Sequence, residues 1–289
     1  MIYAVASGKG GTGKTTVSSS LAALWDGPAT LVDLDVEEPN LHLFLKPELT
    51  DVAKAWIEVP EADESKCTRC RACAELCQFK AITVMADTLL VFPEMCHGCG
   101  GCLAVCPEGA LFPGRRELGE ICKGTAGRHD FVMGRLRVGE AMSPPLMRQI
   151  RHLFPELKKR GDIIIDAPPG VSCPAIAAVT DADCIVLVTE PTPFGFHDFK
   201  LAWEAFTPLN KPMGAVINRS DLGDTAVRDF CRENNIPVWA EIPYSRDIAE
   251  AYSRGEVVAD ALTELEQTFV DLRGHMRAAA AKGGESCAK

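Results

Sequence analysis

SGKGGTGKTT, residues 7–16, decides the fold. Gly8-Lys9-Gly10-Gly11-Thr12-Gly13-Lys14-Thr15 fits G-x4-G-K-[ST], a pattern whose mechanics need a strand before it and a helix after it. The apolar run IYAVA (2–6) precedes it as a buried strand. A helical stretch follows and leads to a second apolar run, ATLVDL (29–34). The result is a βαβ unit. Glycines at 8, 10, 11 and 13 let backbone N–H groups converge on phosphate oxygens, and the helix N-terminus adds a favourable field. Lys14 neutralises phosphate charge, Thr15 offers its hydroxyl to Mg²⁺, and Thr16 continues the loop into the helix.

The same rhythm resumes further along. Strands are expected at 162–166, 184–189, 213–217 and in IPVWAEI (236–242), with helices from about 172, over 198–207 and over 224–234. Alternation of this kind predicts an α/β fold with a doubly wound, mostly parallel sheet. A closing helix is expected over about 260–281, with AKGGESCAK behind it as a frayed tail. Three acidic side chains fall at strand ends: Asp33 and Asp35 in LVDLD, and Asp166 in DIIID. The carboxyl edge of such a sheet is where ligands bind, so the three together point to handling of metal and water beside the phosphate loop.

KGGTGKTT, with Lys9 ahead of the glycines, resembles the deviant phosphate-binding loop of the MinD/Mrp/ParA class of P-loop ATPases, the SIMIBI type. The resemblance covers roughly 1–60 and 140–260. It implies ATP as ligand, Lys9 reaching across a dimer to the partner's nucleotide, Asp35 activating the attacking water, and Asp33 and Asp166 serving Mg²⁺ with Thr15. Lys9, Lys14 and Asp35 are then the catalytic set. The resemblance also places Asn218, in VINRSD, against adenine and the IPYSRD stretch at Pro243 over the base.

Between Val59 and Pro113 the rhythm fails and the chain repeats itself. CTRCRACAELCQFKAI (67–82) is echoed 29 residues later by CHGCGGCLAVCPEGAL (96–111). Eight of the thirteen cysteines fall in these two runs, each spaced C-x2-C-x2-C-x3-C. The first three thiolates of a run can face one cuboidal cluster, whereas the fourth, at a helix start, faces the other. Crossed ligation follows. Cys67, Cys70, Cys73 and Cys106 are expected to hold one 4Fe-4S cluster, and Cys96, Cys99, Cys102 and Cys77 the second. Zinc is the rival for C-x2-C pairs, though zinc ribbons rarely carry two consecutive three-cysteine loops. The run resembles bacterial-type two-cluster ferredoxins, including Pro107 after the last cysteine, and departs from them at Gln78. Segment 61–113 is thus expected as an inserted small α+β ferredoxin-like domain within a discontinuous ATPase domain, 1–60 and 114–289. Residues 114–142 are expected as short strands or a hairpin returning to the main domain. His97 is expected as an exposed loop residue, and Cys173 as a helix-start residue before Pro174.

The formal charge of −10 repels phosphodiester backbones, and no apolar stretch approaches the length of a membrane span. Neither nucleic acid nor membrane is expected as a partner, and the expected location is cytoplasmic. The combination resembles a family subset of MinD/Mrp-type ATPases with an inserted ferredoxin module, on the stretches DAPPGVSCP and TEPTPFGFHDFK. It implies a Mg-ATP-hydrolysing homodimer, or heterodimer with a paralogue; the attachment of the insert directly after the Asp33–His42 segment leads to the expectation that nucleotide state is coupled to electron transfer with a redox client. The alternatives are a metallocluster assembly or delivery factor with a cluster client, and a nucleotide-switched positioning protein.

Overall fold

The computed structural model describes residues 1–286. Eleven strands are assigned among them: β1 (Ile2–Ala6), β2 (Ala29–Asp33), β3 (Glu48–Ala62), β4 (Ile82–Met85), β5 (Thr88–Val91), β6 (Leu111–Ala126), β7 (His129–Leu136), β8 (Asp162–Asp166), β9 (Cys184–Thr189), β10 (Met213–Asn218) and β11 (Val238–Ile242). Nine form one sheet in the order β11-β10-β9-β1-β8-β2-β7-β6-β3, and β4 pairs β5 as a separate antiparallel ribbon. From β11 through β7 every pairing is parallel. The central strands are buried along their whole length, as a sheet covered on both faces requires.

The chain divides into two compact units. The first comprises Met1–Val52, Ile121–Arg135 and the chain from Met147 onward; the second comprises Ala53–Glu120 and Leu136–Leu146. The core of the first unit is built from Tyr3, Leu21, Trp25, Phe131 and Val186, together with Phe269, Leu272 and Met276 of the Glu266–Ser286 helix. One buried cluster of the second unit is Cys73, Ile82, Leu89 and Leu111, against which four of the other cysteines lie half-buried.

The structure differs from the sequence expectations in several places. Of the two forms expected for residues 114–142 the structure has the hairpin, but with long strands: β6 is 16 residues and β7 eight, joined through Gly127 at φ +58°. Glu48–Ala62, given no element from the sequence, is a 15-residue strand whose first seven residues are all exposed. Its exposed half lacks the alternation that betrays a half-buried strand. The second unit accordingly takes in more chain than 61–113. The helix expected over 198–207 begins at Pro193, because Thr192 Oγ1 accepts the Gly195 N–H as a cap and proline suits the first helical position. The closing helix starts at Glu266 and continues through Ser286, so 281–286 is helical. The rest of the expected frayed tail, from Cys287, lies outside the described residues. Among the described residues no helix is long and apolar enough to cross a membrane.

Candidate functional site

The loop leaving β1 packs so tightly that two of its glycines are obligatory. A Cβ on Gly8 would lie 2.0 Å from the Asp198 carbonyl oxygen, and one on Gly13 would lie 2.3 Å from Asn218 Nδ2. Gly11 and Gly13 also hold φ of +78° and +96°, in the left-handed region. Gly13 closes the loop and the Lys14–Ala23 helix begins at once.

Lys14 is buried beneath the loop. Its Nζ donates to Asp166 Oδ1 at 2.9 Å and lies 3.6 Å from Asp35 Oδ2. Burial penalises the ammonium, but the two carboxylates outweigh it and hold its pKa above the ordinary lysine value. Thr15 Oγ1 donates to Asp166 Oδ2 at 2.8 Å, and Ser18 Oγ, one turn on, lies 3.0 Å from Asp166 Oδ1. Asp33 is fully buried and accepts the backbone N–H groups of Asp35 and Leu41 at 3.0 and 2.9 Å. Burial and the Asp166 charge push its carboxyl well above the usual range. Asp35 is raised to about 6, chiefly by burial, against the opposing pull of Lys14. Three carboxylates therefore face a single ammonium, and the excess negative charge suits a divalent cation among Thr15, Asp33 and Asp166.

A cavity of about 320 Å³ opens beside the loop, lined by Gly11, Gly13, Thr16, Asn218, Pro243 and Tyr244. That is at the small end of ligand pockets. The structure thus brings Asn218 and Pro243 to the phosphate loop, and Asn218 Nδ2 also donates to the Thr12 carbonyl at 2.8 Å. Tyr244 falls in the IPYSRD stretch expected over the base, whereas Tyr252, which lines the same cavity, carries no motif that the sequence could have shown.

Lys9 points to a carboxylate of its own chain. Its Nζ donates to Glu190 Oε1 at 2.6 Å, and Arg219 donates to Glu190 Oε2 at 3.0 Å. Burial would raise the Glu190 carboxyl, but Lys9 and Arg219 hold it below the ordinary range. Glu190 sits immediately after β9, in TEPTPFGF; its strand-end position beside a phosphate loop was the available signal.

The eight clustered cysteines line two cavities in the second unit. Cys67, Cys70, Cys73 and Cys106 line one, with Pro107; Cys77, Cys96, Cys99 and Cys102 line the other, with Gln78. Cys77 is thus grouped with the second run and Cys106 with the first. Among the described residues no three His, Cys, Asp or Glu side chains converge as ligands of a single ion would. His97 is exposed, its ring stacked on Phe79 with centroids 3.5 Å apart. Cys122, Cys184 and Cys231 are buried in the first unit, and burial pushes the Cys184 and Cys231 thiols up to about 12 and 11. Cys173, at a helix start, is exposed.

The model of the CobQ/CobB/MinD/ParA nucleotide binding domain matches residues 3–258. The chain belongs to this family. The matched stretch includes the phosphate loop, Lys14 and the three strand-end aspartates, and the chain is a nucleotide-binding protein of MinD-like fold. Two proteins of Methanocaldococcus jannaschii are similar over nearly their whole length. Uncharacterized protein MJ0579 is 30% identical across 89% of this chain and 90% of its own, and Uncharacterized protein MJ0578 is 30% identical across 94% and 95%. The septum site-determining protein MinD of Pyrococcus horikoshii, solved with Mg-ADP, has the same fold at 19% identity, with a TM-score of 0.56 over 94% of this chain and 93% of that one.

Proposed function

We propose that this chain is a dimeric Mg²⁺-ATPase that carries two 4Fe-4S clusters in its second unit and couples its nucleotide state to electron delivery. The observation that carries this reading is the sorting of eight thiols into two cavities of four, in a chain whose other unit holds a phosphate loop. Thiolates that each bind a different iron of a cuboid are spread around it, whereas zinc draws four ligands to one point. When bound, such clusters supply one-electron redox chemistry.

In the first unit, Lys14 and the loop N–H groups bind phosphate, and Thr15, Asp33 and Asp166 offer oxygens to Mg²⁺. Asp35, its carboxyl raised to about 6, is poised to orient a water and take its proton near neutrality. Asn218, Pro243 and Tyr244 form the wall for the nucleoside. Lys9 would have to exchange Glu190 for a partner's phosphate to act across a dimer. Coupling is supported by the path of the chain: Asp33 holds the Leu41 N–H, and the Leu41–Leu45 helix runs directly into β3, which enters the second unit.

The decisive experiment is anaerobic purification with iron quantitation, followed by acceptor reduction measured with ATP, with ADP and without nucleotide. Iron near two clusters per chain and nucleotide-dependent rates are expected; identical rates would rule out coupling. The family match favours a second reading, a nucleotide-switched positioning protein, which predicts dimerisation with ATP but no dependence of electron delivery on it.

A further inference from the structure

The two cysteine runs superpose by sequence with an offset of 29 residues, which pairs Arg69 with Gly98 and Arg71 with Gly100. All four residues adopt the left-handed conformation: φ is +59° and +65° at the arginines, and +65° and +69° at the glycines. Glycine accepts this region freely, whereas side-chain-bearing residues resist it. Gly98 is required for a second reason, because a Cβ there would lie 2.6 Å from Ile57 Cγ1. No comparable obstacle forces the first run to differ, so it carries two strained arginines where glycine would be easier. Strain retained in this way directs attention to what the side chains do.

Both arginines line the cavity of Cys67, Cys70, Cys73 and Cys106, and Arg69 is pinned there by donating from Nε to the Asp87 carbonyl at 2.6 Å. Glu108 lines the same cavity and offsets one of the two charges. The other cavity has no arginine or lysine in its lining and one carboxylate, Glu58. In other respects the two sites match. Each has one buried, one exposed and two half-buried cysteines, and each has one backbone N–H aimed at a sulfur, Ala110 to Cys106 at 3.3 Å and Gly98 to Cys96 at 3.4 Å. Reduction adds negative charge to a cluster, and its potential follows local charge, N–H···S bonds and solvent exposure. With cysteine exposure and these N–H···S bonds matched, the arginines are the charged side chains that set the first lining apart, while Phe79 and His97 line only the second.

We propose that Arg69 and Arg71 set the reduction potential of the Cys67/Cys70/Cys73/Cys106 site above that of the Cys77/Cys96/Cys99/Cys102 site. This rests on the cluster reading above. Arg69 is the main contributor, since its guanidinium is anchored, and Arg71 adds to it.

The test is a dithionite titration of anaerobically purified full-length protein, followed by EPR at pH 8.5, above the histidine range. The wild type should show two separated midpoints. Arg69→Gly with Arg71→Gly relieves backbone strain, so the variant should fold, and it should lower the upper midpoint while leaving the lower one in place. A tenfold change in the partition of an electron between the sites, about 59 mV for a one-electron couple, is the expected scale. Gly100→Arg, where a Cβ meets only Glu58 Oε1 at 4.0 Å, should raise the lower midpoint. Coincident wild-type midpoints, or an upper midpoint unmoved in the double variant while iron stays at two clusters per chain, overturn this inference and leave the cluster reading standing. Protein that retains zinc, or less iron than two clusters need, overturns both.

Discussion

Glu190→Gln tests the reading of the nucleotide site most sharply, because it keeps the shape of the side chain and removes the charge that holds Lys9 in its own protomer. Glu190 Oε1 accepts from Lys9 at 2.6 Å and Oε2 from Arg219 at 3.0 Å. Hydrogen bonds to charged groups are worth about 1.5–3 kcal/mol each. The Lys9 side chain is 28% exposed and that of Arg219 46%, so water recovers part of this when the carboxylate is lost. Folding should therefore suffer little, and the cost of freeing Lys9 should fall by about 1 kcal/mol. If the Lys9 of each chain must swing to its partner's nucleotide, the two gains add to about 2 kcal/mol and the variant should dimerise with ATP about 30-fold more tightly. Sedimentation velocity over a protein concentration series, with ATP and with ADP, measures this. Unchanged or weaker ATP-dependent dimerisation, with the melting temperature preserved, would refute the idea that the Lys9–Glu190 pair opposes the dimer.

Other consequences follow from the same geometry. Gly13→Ala forces a side chain into φ +96° and against Asn218, so it should cost about 1–2 kcal/mol in stability and at least tenfold in nucleotide affinity, read by thermal melting and calorimetric titration. Asp35, raised to about 6, holds a proton that the unfolded chain has already lost, so nucleotide-free protein should lose stability as pH rises from about 4 to about 6. The loss attributable to it is about 3 kcal/mol at most, and Asp35→Asn should flatten that part of a denaturation-versus-pH curve. Cys77→Ser should remove the EPR signal of the site lined by Cys96, Cys99 and Cys102 and spare the one lined by Cys67, Cys70 and Cys73. Cys184→Ser, in the core of the first unit, should lower the melting temperature with iron content unchanged.

Much of the nucleotide site was legible because local chemistry dictates it. A glycine-rich loop between a buried strand and a helix has one physical use, and Lys14 and Thr15 are fixed by their place at the helix start. The strand-end aspartates were legible for a similar reason, since parallel strands deliver their carboxyl ends to one edge. Ser18 and Tyr252 were not. Each acts only through a partner distant in the chain or through a helix face that the pattern leaves undetermined. The long strand β3 escaped for a different reason, because its exposed half lacks alternation.

The sequence by itself determined the α/β rhythm, the phosphate loop and the duplicated cysteine spacing, because each depends on residues close together in the chain. Tertiary structure alone decided which distant groups meet. Lys9 finds Glu190 and Asn218 finds Thr12 because β9 and β10 end beside the loop that leaves β1. Arg69 and Arg71 became distinctive only when their backbone angles could be set beside those of Gly98 and Gly100. Such encounters depend on how strands are ordered in the sheet and how loops turn, and those are properties of the whole chain rather than of any one stretch.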